Sequence, residues 1–399
     1  MKFKHALIIL LSVLMVNGFS QNTDEWLGQQ ASLNTITTAV PFLMIAPDAR
    51  SGALGDAGVS SSPDIYSMHW NPAKYAFIEK DMGFGISYSP WLKALVPDIN
   101  LAYVNFFKRL DDEQTIAASL LFFSLGDITF TNDVGDPLGT YHPNEFSIDF
   151  AYSRKLSENL SASVAARFIY SDLTQGQFVG GSETHAGNSV AADVSFYWNK
   201  EISLPNTDGV LAFGANISNI GTKISYANNV KDFIPTNLRF GPSLTIEMDD
   251  YNTIAFMIDV NKLLVPTPPV YKKDPDTGQP IVGPDGQYVI AAGKNPDVSV
   301  ISGILQSFGD APGGFSEELR EFSFGTGVEY WYDNQFALRG GYFHEHKSKG
   351  NRKFFTLGAG IKYNVFGLDV AYLIPLEQKH PLENTLRFSL LFDFEAFSR

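Results

Sequence analysis

A chain of 399 residues with no cysteine and a net charge of −14 excludes several classes of protein at once. Neither a disulfide framework nor a thiolate metal site can be built, and the acid excess disfavours nucleic acid and anionic membrane faces as partners. Fourteen per cent aromatic residues exclude a disordered chain.

The first element reads as a leader. Lys2 and Lys4 precede an unbroken apolar run from Ala6 to Val16, too short to span a bilayer as a helix, and Gly18, Phe19 and Ser20 follow where a signal peptidase reads. Residues 1–20 are expected to be a cleaved signal peptide, with Gln21 as the mature N-terminus. Two lysines leave with it, so the mature net charge becomes −16. No cysteine stands near the cleavage point, so no lipid-anchored N-terminus is expected.

Residues 21–81 carry no strand alternation, yet they are too apolar and glycine-rich for a free tail. Asp48 and Arg50 lead into Gly52, Gly55 and Gly58, whose spacing permits tight turns and close approach. Trp70, Asn71 and Pro72 follow, with His69 beside the tryptophan. Pro63 and Asp64 are placed to start a short helix that Pro72 would end. A wide barrel needs filling if it is not an open pore. This segment is therefore expected to be a plug, entering the lumen from the periplasmic side.

From Met82 to Phe394 the chain shows fourteen segments with period-two patterning. The gaps between them alternate in length. Residues 90–97, 127–144, 172–188, 220–236, 263–319, 346–352 and 375–383 form long gaps. Residues 108–112, 155–159, 200–208, 249–251, 333–334 and 364–365 form short ones. A soluble sandwich has no reason to sort its loops by parity; an outer-membrane barrel does, having short periplasmic turns and long extracellular loops. In hydrocarbon every backbone polar group must be paired within the protein, and no spanning helix remains after the leader. The expected fold is therefore all-β: a 14-stranded antiparallel transmembrane β-barrel over residues 82–399, with an N-terminal plug in its lumen. Both termini are expected to be periplasmic.

The last strand supports this. Leu386, Phe388, Leu390, Phe392 and Phe394 alternate with Arg387, Ser389, Leu391 and Asp393, and Phe397 stands close to Arg399. Barrels end on such a strand for insertion. Segments 2, 3 and 9 alternate less well. The inward face is expected to carry Asp149, Arg167, Asp193, Arg239, Glu247, Glu329, Arg339, Lys362, Asp369, Arg387 and Asp393. Charges there must pair or be solvated, so the lumen is expected to be polar, wet and braced by ion pairs.

The gap 263–319 is far longer than a structureless loop should be without a role. Val270-Tyr271 and Gln287–Ile290 flank Pro275–Gly286, which reads as a protruding hairpin. Ile301, Ile304, Leu305 and Phe308 fall at i, i+3, i+4 and i+7, a short amphipathic helix with Asp297 as its cap. Exposed apolar residues on such a loop mark a protein contact, or the helix folds back to lid the barrel mouth. Tyr271, Tyr288, Ile301, Ile304, Leu305 and Phe308 are the expected docking residues. Loops 127–144 and 172–188 are secondary.

Catalytic signatures are missing: no Gly-x-Ser-x-Gly, P-loop, His-Glu-x-x-His or dinucleotide fingerprint is present. His344-Glu345-His346 puts two imidazoles on one strand face without an evident third ligand. Asp274–Gly278 superficially looks like a calcium loop but lacks the twelfth-position glutamate, so a turn is the better reading. No enzyme, cofactor or metal is expected.

The run Ala46–Val59 and His69–Lys74 (His-Trp-Asn-Pro-Ala-Lys), placed before fourteen strands, resemble the FadL-like outer-membrane transporter superfamily. With Asn295–Gly303 and Asp310–Phe315, the chain more closely resembles the PorV family, the outer-membrane shuttles of type IX secretion. That resemblance implies a cargo shuttle. Its partners would be a large outer-membrane translocon, the C-terminal signal domains of secreted cargo, a surface sortase-like protease and outer-membrane lipid. The wider superfamily implies the alternative, a transporter of hydrophobic small molecules, for which Phe42, Leu43, Met44 and Ile45 would line a path.

Overall fold

In the computed structural model, residues 33–394 are described apart from 94, 95, 97, 132, 133, 180, 181, 206, 228, 229, 378 and 379. The expected signal peptide, Gln21 and the terminal Phe397 lie outside the described residues. Fourteen antiparallel strands close into one barrel. They are β1 (Met82–Pro90), β2 (Asn100–Arg109), β3 (Gln114–Ser124), β4 (Asn144–Lys155), β5 (Leu160–Asp172), β6 (Gly187–Leu204) and β7 (Thr207–Gly221). The second half comprises β8 (Asn237–Glu247), β9 (Asn252–Leu263), β10 (Phe322–Tyr332), β11 (Phe336–His344), β12 (Lys353–Tyr363), β13 (Phe366–Pro375) and β14 (Leu386–Phe394). Closure is made by β1 against β14, from Met82↔Phe394 to Tyr88↔Phe388. Among the described residues no helix is long and apolar enough to cross a membrane; the strands do the crossing.

The loop parity holds. One end of the barrel carries connections of two to four residues and the other carries connections of eight to 58. Asx turns close several tight ones: Asp111 Oδ1 accepts from the Glu113 and Gln114 amides, and Asp249 Oδ1 from those of Tyr251 and Asn252. One boundary differs. Pairing of β6 with β7 runs on from Asn199↔Ala212 to Leu204↔Thr207, where the sequence pattern places a gap over 200–208. Backbone pairing needs no apolar face, so the ribbon outlasts the alternation that marks the membrane. Within the long loops, hairpins form at 128–131/137–141, 224–227/230–232 and 270–271/290–292.

The outer wall is apolar: Val164, Phe168, Val190, Phe196, Phe256, Ile258, Leu338, Leu357 and Phe388 are exposed on it. Residues 33–81 run lengthwise through the interior. Asn34 donates its amide to the Ser348 carbonyl, and Ala39 to that of Phe233, both in loops at the long-loop end. The short helix Ala49–Gly52 packs on β12, β13 and β14 midway. The 3₁₀ turn Pro72–Phe77 lies against β3–β6 near the short turns, where β1 begins. Entry from the short-turn side is therefore corrected. Residue 34 stands at the opposite end from Met82, whereas β14 does finish at the short-turn end.

The interior is divided. Against β1–β5, Phe42, Ile65, Tyr66, Met68 and Tyr75 pack on Leu101, Tyr103, Phe107, Leu121 and Ile169 in one apolar cluster. Leu54 and Ala57 pack on Ala255 and Met257 of β9. This explains why segments 2, 3 and 9 alternate poorly: both of their faces touch apolar surroundings, lipid outside and the inner segment inside. The expectation of a wet lumen is corrected for the same reason. Asp149, Arg167, Asp193, Arg239, Glu329, Arg339, Asp369 and Arg387 are all buried, while Glu247 is exposed at the rim and Lys362 and Asp393 are half-buried.

Candidate functional site

Two constellations stand out: the lock between inner segment and barrel, and the long loop. In the lock, Asp48 caps the helix Ala49–Gly52, accepting from the Ser51 amide at 2.8 Å, and also accepts from Trp70 Nε1 at 2.6 Å. One carboxylate thus ties two motifs twenty-two residues apart. Burial raises its pKa to about 6, with Asp64 adding to the rise. Arg50 meets Glu329 of β10 through both arms of its fork, at 2.9 and 2.7 Å, and Asp64 of its own segment at 2.8 Å. Glu329 continues to Arg339 at 2.6 Å, and Arg339 to Asp369 at 2.5 Å. The result is a five-residue chain of alternating charge linking the inner segment to β10, β11 and β13. A second buried group joins Arg167 to Asp149 at 2.5 Å and to Asp193 at 3.2 Å. The expectation of ion-pair bracing holds.

Gly55 shows why the glycines are there. Its φ is +69°, and a Cβ would meet the Tyr342 carbonyl oxygen at 2.5 Å and its nitrogen at 2.6 Å. Gly52 is pressed against the Arg387 side chain and Gly58 against the Trp70 ring. Asn71 accepts from the Ala73 amide at 3.1 Å and donates to the Val59 and Phe196 carbonyls, both at 2.9 Å. The short helix Ser67–Trp70 starts three residues after Asp64 and ends at extended Asn71, directly before Pro72; Asn71 then caps the separate 3₁₀ turn that the proline opens. Lys74 is buried with its ammonium on the Gly58 carbonyl at 2.8 Å; burial lowers its pKa to about 8. His69 packs edge-on against Trp70 at 4.8 Å, and burial pushes it well below the usual imidazole range. Sequence reasoning placed Lys74 in a motif without a role and missed Asp259 and the inward serines. Asp259 accepts from the Gly58 and Val59 amides at 2.8 and 2.9 Å, and Ser87, Ser153 and Ser161 donate to inner-segment carbonyls. Serine on an inward strand face is their only signal.

The long loop occupies 264–321 and is clamped at its base. Lys262 reaches Glu321 at 2.6 Å and Glu318 at 3.2 Å; Lys349 reaches Glu317 at 2.6 Å and Glu321 at 3.0 Å. Asn34 of the inner segment donates to Glu317 at 2.9 Å, so loop and interior share this base. Beyond it, Tyr271 and Tyr288 come together on the ribbon, ring centroids 5.4 Å apart. Asp274 closes the ribbon's tip by accepting from the Asp276 and Thr277 amides at 2.9 Å. The expected helix is present at Val300–Gln306, but its cap is Ser299; Asp297 pairs with Lys223 instead, at 3.4 Å. Gly303 and Ser307 are its buried side. Ile301, Leu305 and Phe308 are exposed and Ile304 half-buried, so the apolar face does not lid the barrel mouth. The six expected docking residues therefore fall on two units, ribbon and helix. His344 meets the Tyr342 hydroxyl, His346 meets Ser348, and Glu345 meets Arg352 at 2.8 Å. No metal-binding cluster occurs among the described residues.

A closed fourteen-strand barrel with an apolar outer wall defines an outer-membrane β-barrel protein. The family model for the type IX secretion system protein PorV matches residues 28–270, more than half of the chain, and the chain belongs to that family, outer-membrane components of type IX secretion. No curated protein matches the sequence. Similar solved structures include the Ralstonia pickettii toluene transporter TbuX, at 12% identity and TM-score 0.46, covering 91% of this chain and 99% of that one. The Pseudomonas putida toluene transporter TodX is similar at 10% identity and TM-score 0.47, covering 90% and 98%. A FadL homologue of Pseudomonas aeruginosa is similar at 11% identity and TM-score 0.42, covering 91% and 100%.

Proposed function

We propose that this chain is a non-enzymatic shuttle of type IX secretion. It binds the C-terminal signal domain of cargo at the cell surface and passes it from the translocon to a surface sortase-like protease. The long loops face the exterior and β14 ends in the periplasm. The inner segment acts as a plug that preserves the permeability barrier, and the loop 264–321 supplies the docking surface. The observation that carries the reading is family membership over residues 28–270 together with a clamped loop that presents Tyr271 and Tyr288. A hydrophobic-solute path is disfavoured, because Phe42 and Leu43, its expected lining, are packed into the apolar cluster with Leu101, Phe107 and Leu121 and line no open channel.

The test is a pull-down from solubilised outer membranes with and without residues 266–315, folding being checked by heat-modifiable gel mobility. Loss of the translocon or of cargo from the folded deletion variant supports docking by this loop. A Tyr271→Ala, Tyr288→Ala double variant should reproduce that loss. Retention of every partner moves the interface to other loops, and absence of partners from the intact chain favours the transporter reading.

A further inference from the structure

The helix Val300–Gln306 is inverted relative to an ordinary surface helix. Its small side packs inward: a Cβ on Gly303 would come within 2.9 Å of the Phe233 ring and 3.2 Å of Pro266, so glycine lets the helix lie flat. Its large apolar side points away from the protein, with Ile301 63% and Leu305 71% exposed; Phe308, just beyond it, is 52% exposed with one side of its ring under the Lys262 ammonium. The following helix, Phe315–Arg320, adds exposed Phe315 and Leu319. A surface helix normally turns such residues toward the core, and a contiguous exposed apolar face requires an apolar neighbour.

The neighbour is indicated by position. Val300 and Ile301 share an open groove with Val190 and Ala192 of β6 and Ile220 of β7. Val190 is exposed on the outward face of β6 and is followed down the same wall by Val194 and Phe196, the surface that a transmembrane barrel gives to lipid. The helix therefore extends the lipid-facing band at its long-loop rim. Lys223, paired with Asp297 at 3.4 Å and standing over the Phe233 ring at 4.2 Å, ties the chain just before the helix to this rim.

We propose that the helix Val300–Gln306 lies in the bilayer surface at the long-loop end, with Ile301, Leu305 and Phe308 among the acyl chains. The occupant of this face is lipid. Packing at Gly303 and the Lys223–Asp297 pair hold the helix and the bilayer fixes its height, so the ribbon with Tyr271 and Tyr288 is presented at a set distance from the membrane. This reading assigns the helical residues to lipid and leaves protein docking to the ribbon.

The absence of cysteine makes the test direct. Single variants Ile301→Cys, Leu305→Cys and Val282→Cys, the last on the exposed ribbon, are labelled with an environment-sensitive fluorophore. Each is placed in palmitoyl-oleoyl phosphatidylcholine nanodiscs with or without a lipid carrying a nitroxide near its headgroup. The labels at 301 and 305 should emit blue-shifted and lose most of their fluorescence to the nitroxide lipid, while the label at 282 keeps its own. Solvent-like, unquenched emission at 301 and 305 overturns the proposal. So does a blue shift that appears only in native membranes holding partner proteins, which would make the occupant a protein. Because each substitution replaces an exposed side chain, gel mobility of the folded barrel should be unchanged.

Discussion

Arg50 is the side chain on which the interior most depends, because one guanidinium satisfies two carboxylates on two separate parts of the chain. The Glu329 pair is buried and the Asp64 pair partly so. Replacing Arg50 by Gln leaves Asp64 without its charge partner and weakens the hold on Glu329, and removing one member of a buried pair costs about 3–5 kcal/mol. The expected result is a lower temperature for heat-modified gel mobility together with new conductance in planar bilayers. Unchanged conductance would show that the segment is held without the lock. Asp48 adds a pH dependence of defined sign. Its carboxyl has an ordinary pKa of 3.8 and is raised to about 6 by burial, so the folded state binds its proton more tightly. That contribution is fully present below pH 4 and is lost as pH rises through 6, a change of about 3 kcal/mol. Asp48→Asn should flatten the melting-temperature profile between those limits, measured by circular dichroism in detergent. Asp48, Arg50 and the glycines were legible as a motif; Glu329 as the far partner was not, since it lies 279 residues away.

At the scale of elements, the base of the long loop should decide whether the loop is a rigid arm. Lys349 carries two carboxylates there, and Lys349→Met leaves Glu317 with Asn34 and Glu321 with Lys262 and Thr267. Limited proteolysis should then cut within 272–290 severalfold faster, with the barrel core intact. A cut rate equal to that of the parent would mean that the prolines, and not the ion pairs, stiffen the arm. The helix within this loop shows the reach of periodicity. Its apolar spacing was readable, but its cap and the direction of its face were not. Ser299 caps because its hydroxyl lies beside the Ser302 amide, at 3.3 Å, while Asp297 is drawn to Lys223. Direction was settled by Gly303, whose lack of a side chain makes the small face the one that packs.

For the whole molecule, the inner segment and the wall form one folded unit, and cutting the segment away should not leave a stable empty barrel. A chain lacking residues 33–78 would expose Phe107, Leu121 and Ile169 to a water-filled lumen and leave Glu329 with Arg339 as its one remaining ion-pair partner among the described residues. Each fully buried apolar side chain so exposed costs about 1.5–3 kcal/mol. Loss of heat-modifiable mobility is the expected outcome, and a stable, open, conducting barrel would contradict it. The sequence by itself determined the strand number, the parity of the loops, the lipid-facing pattern and the segment reserved for the interior. These depend on period-two alternation and on chain-local spacing. Only the tertiary structure decided the lengthwise path of residues 33–81, the sorting of the lumen into apolar clusters and buried charge groups, and the outward face of the loop helix. Those depend on contacts between residues up to 340 positions apart. An inward position is apolar or charged according to what the interior segment places against it, and no local pattern encodes that.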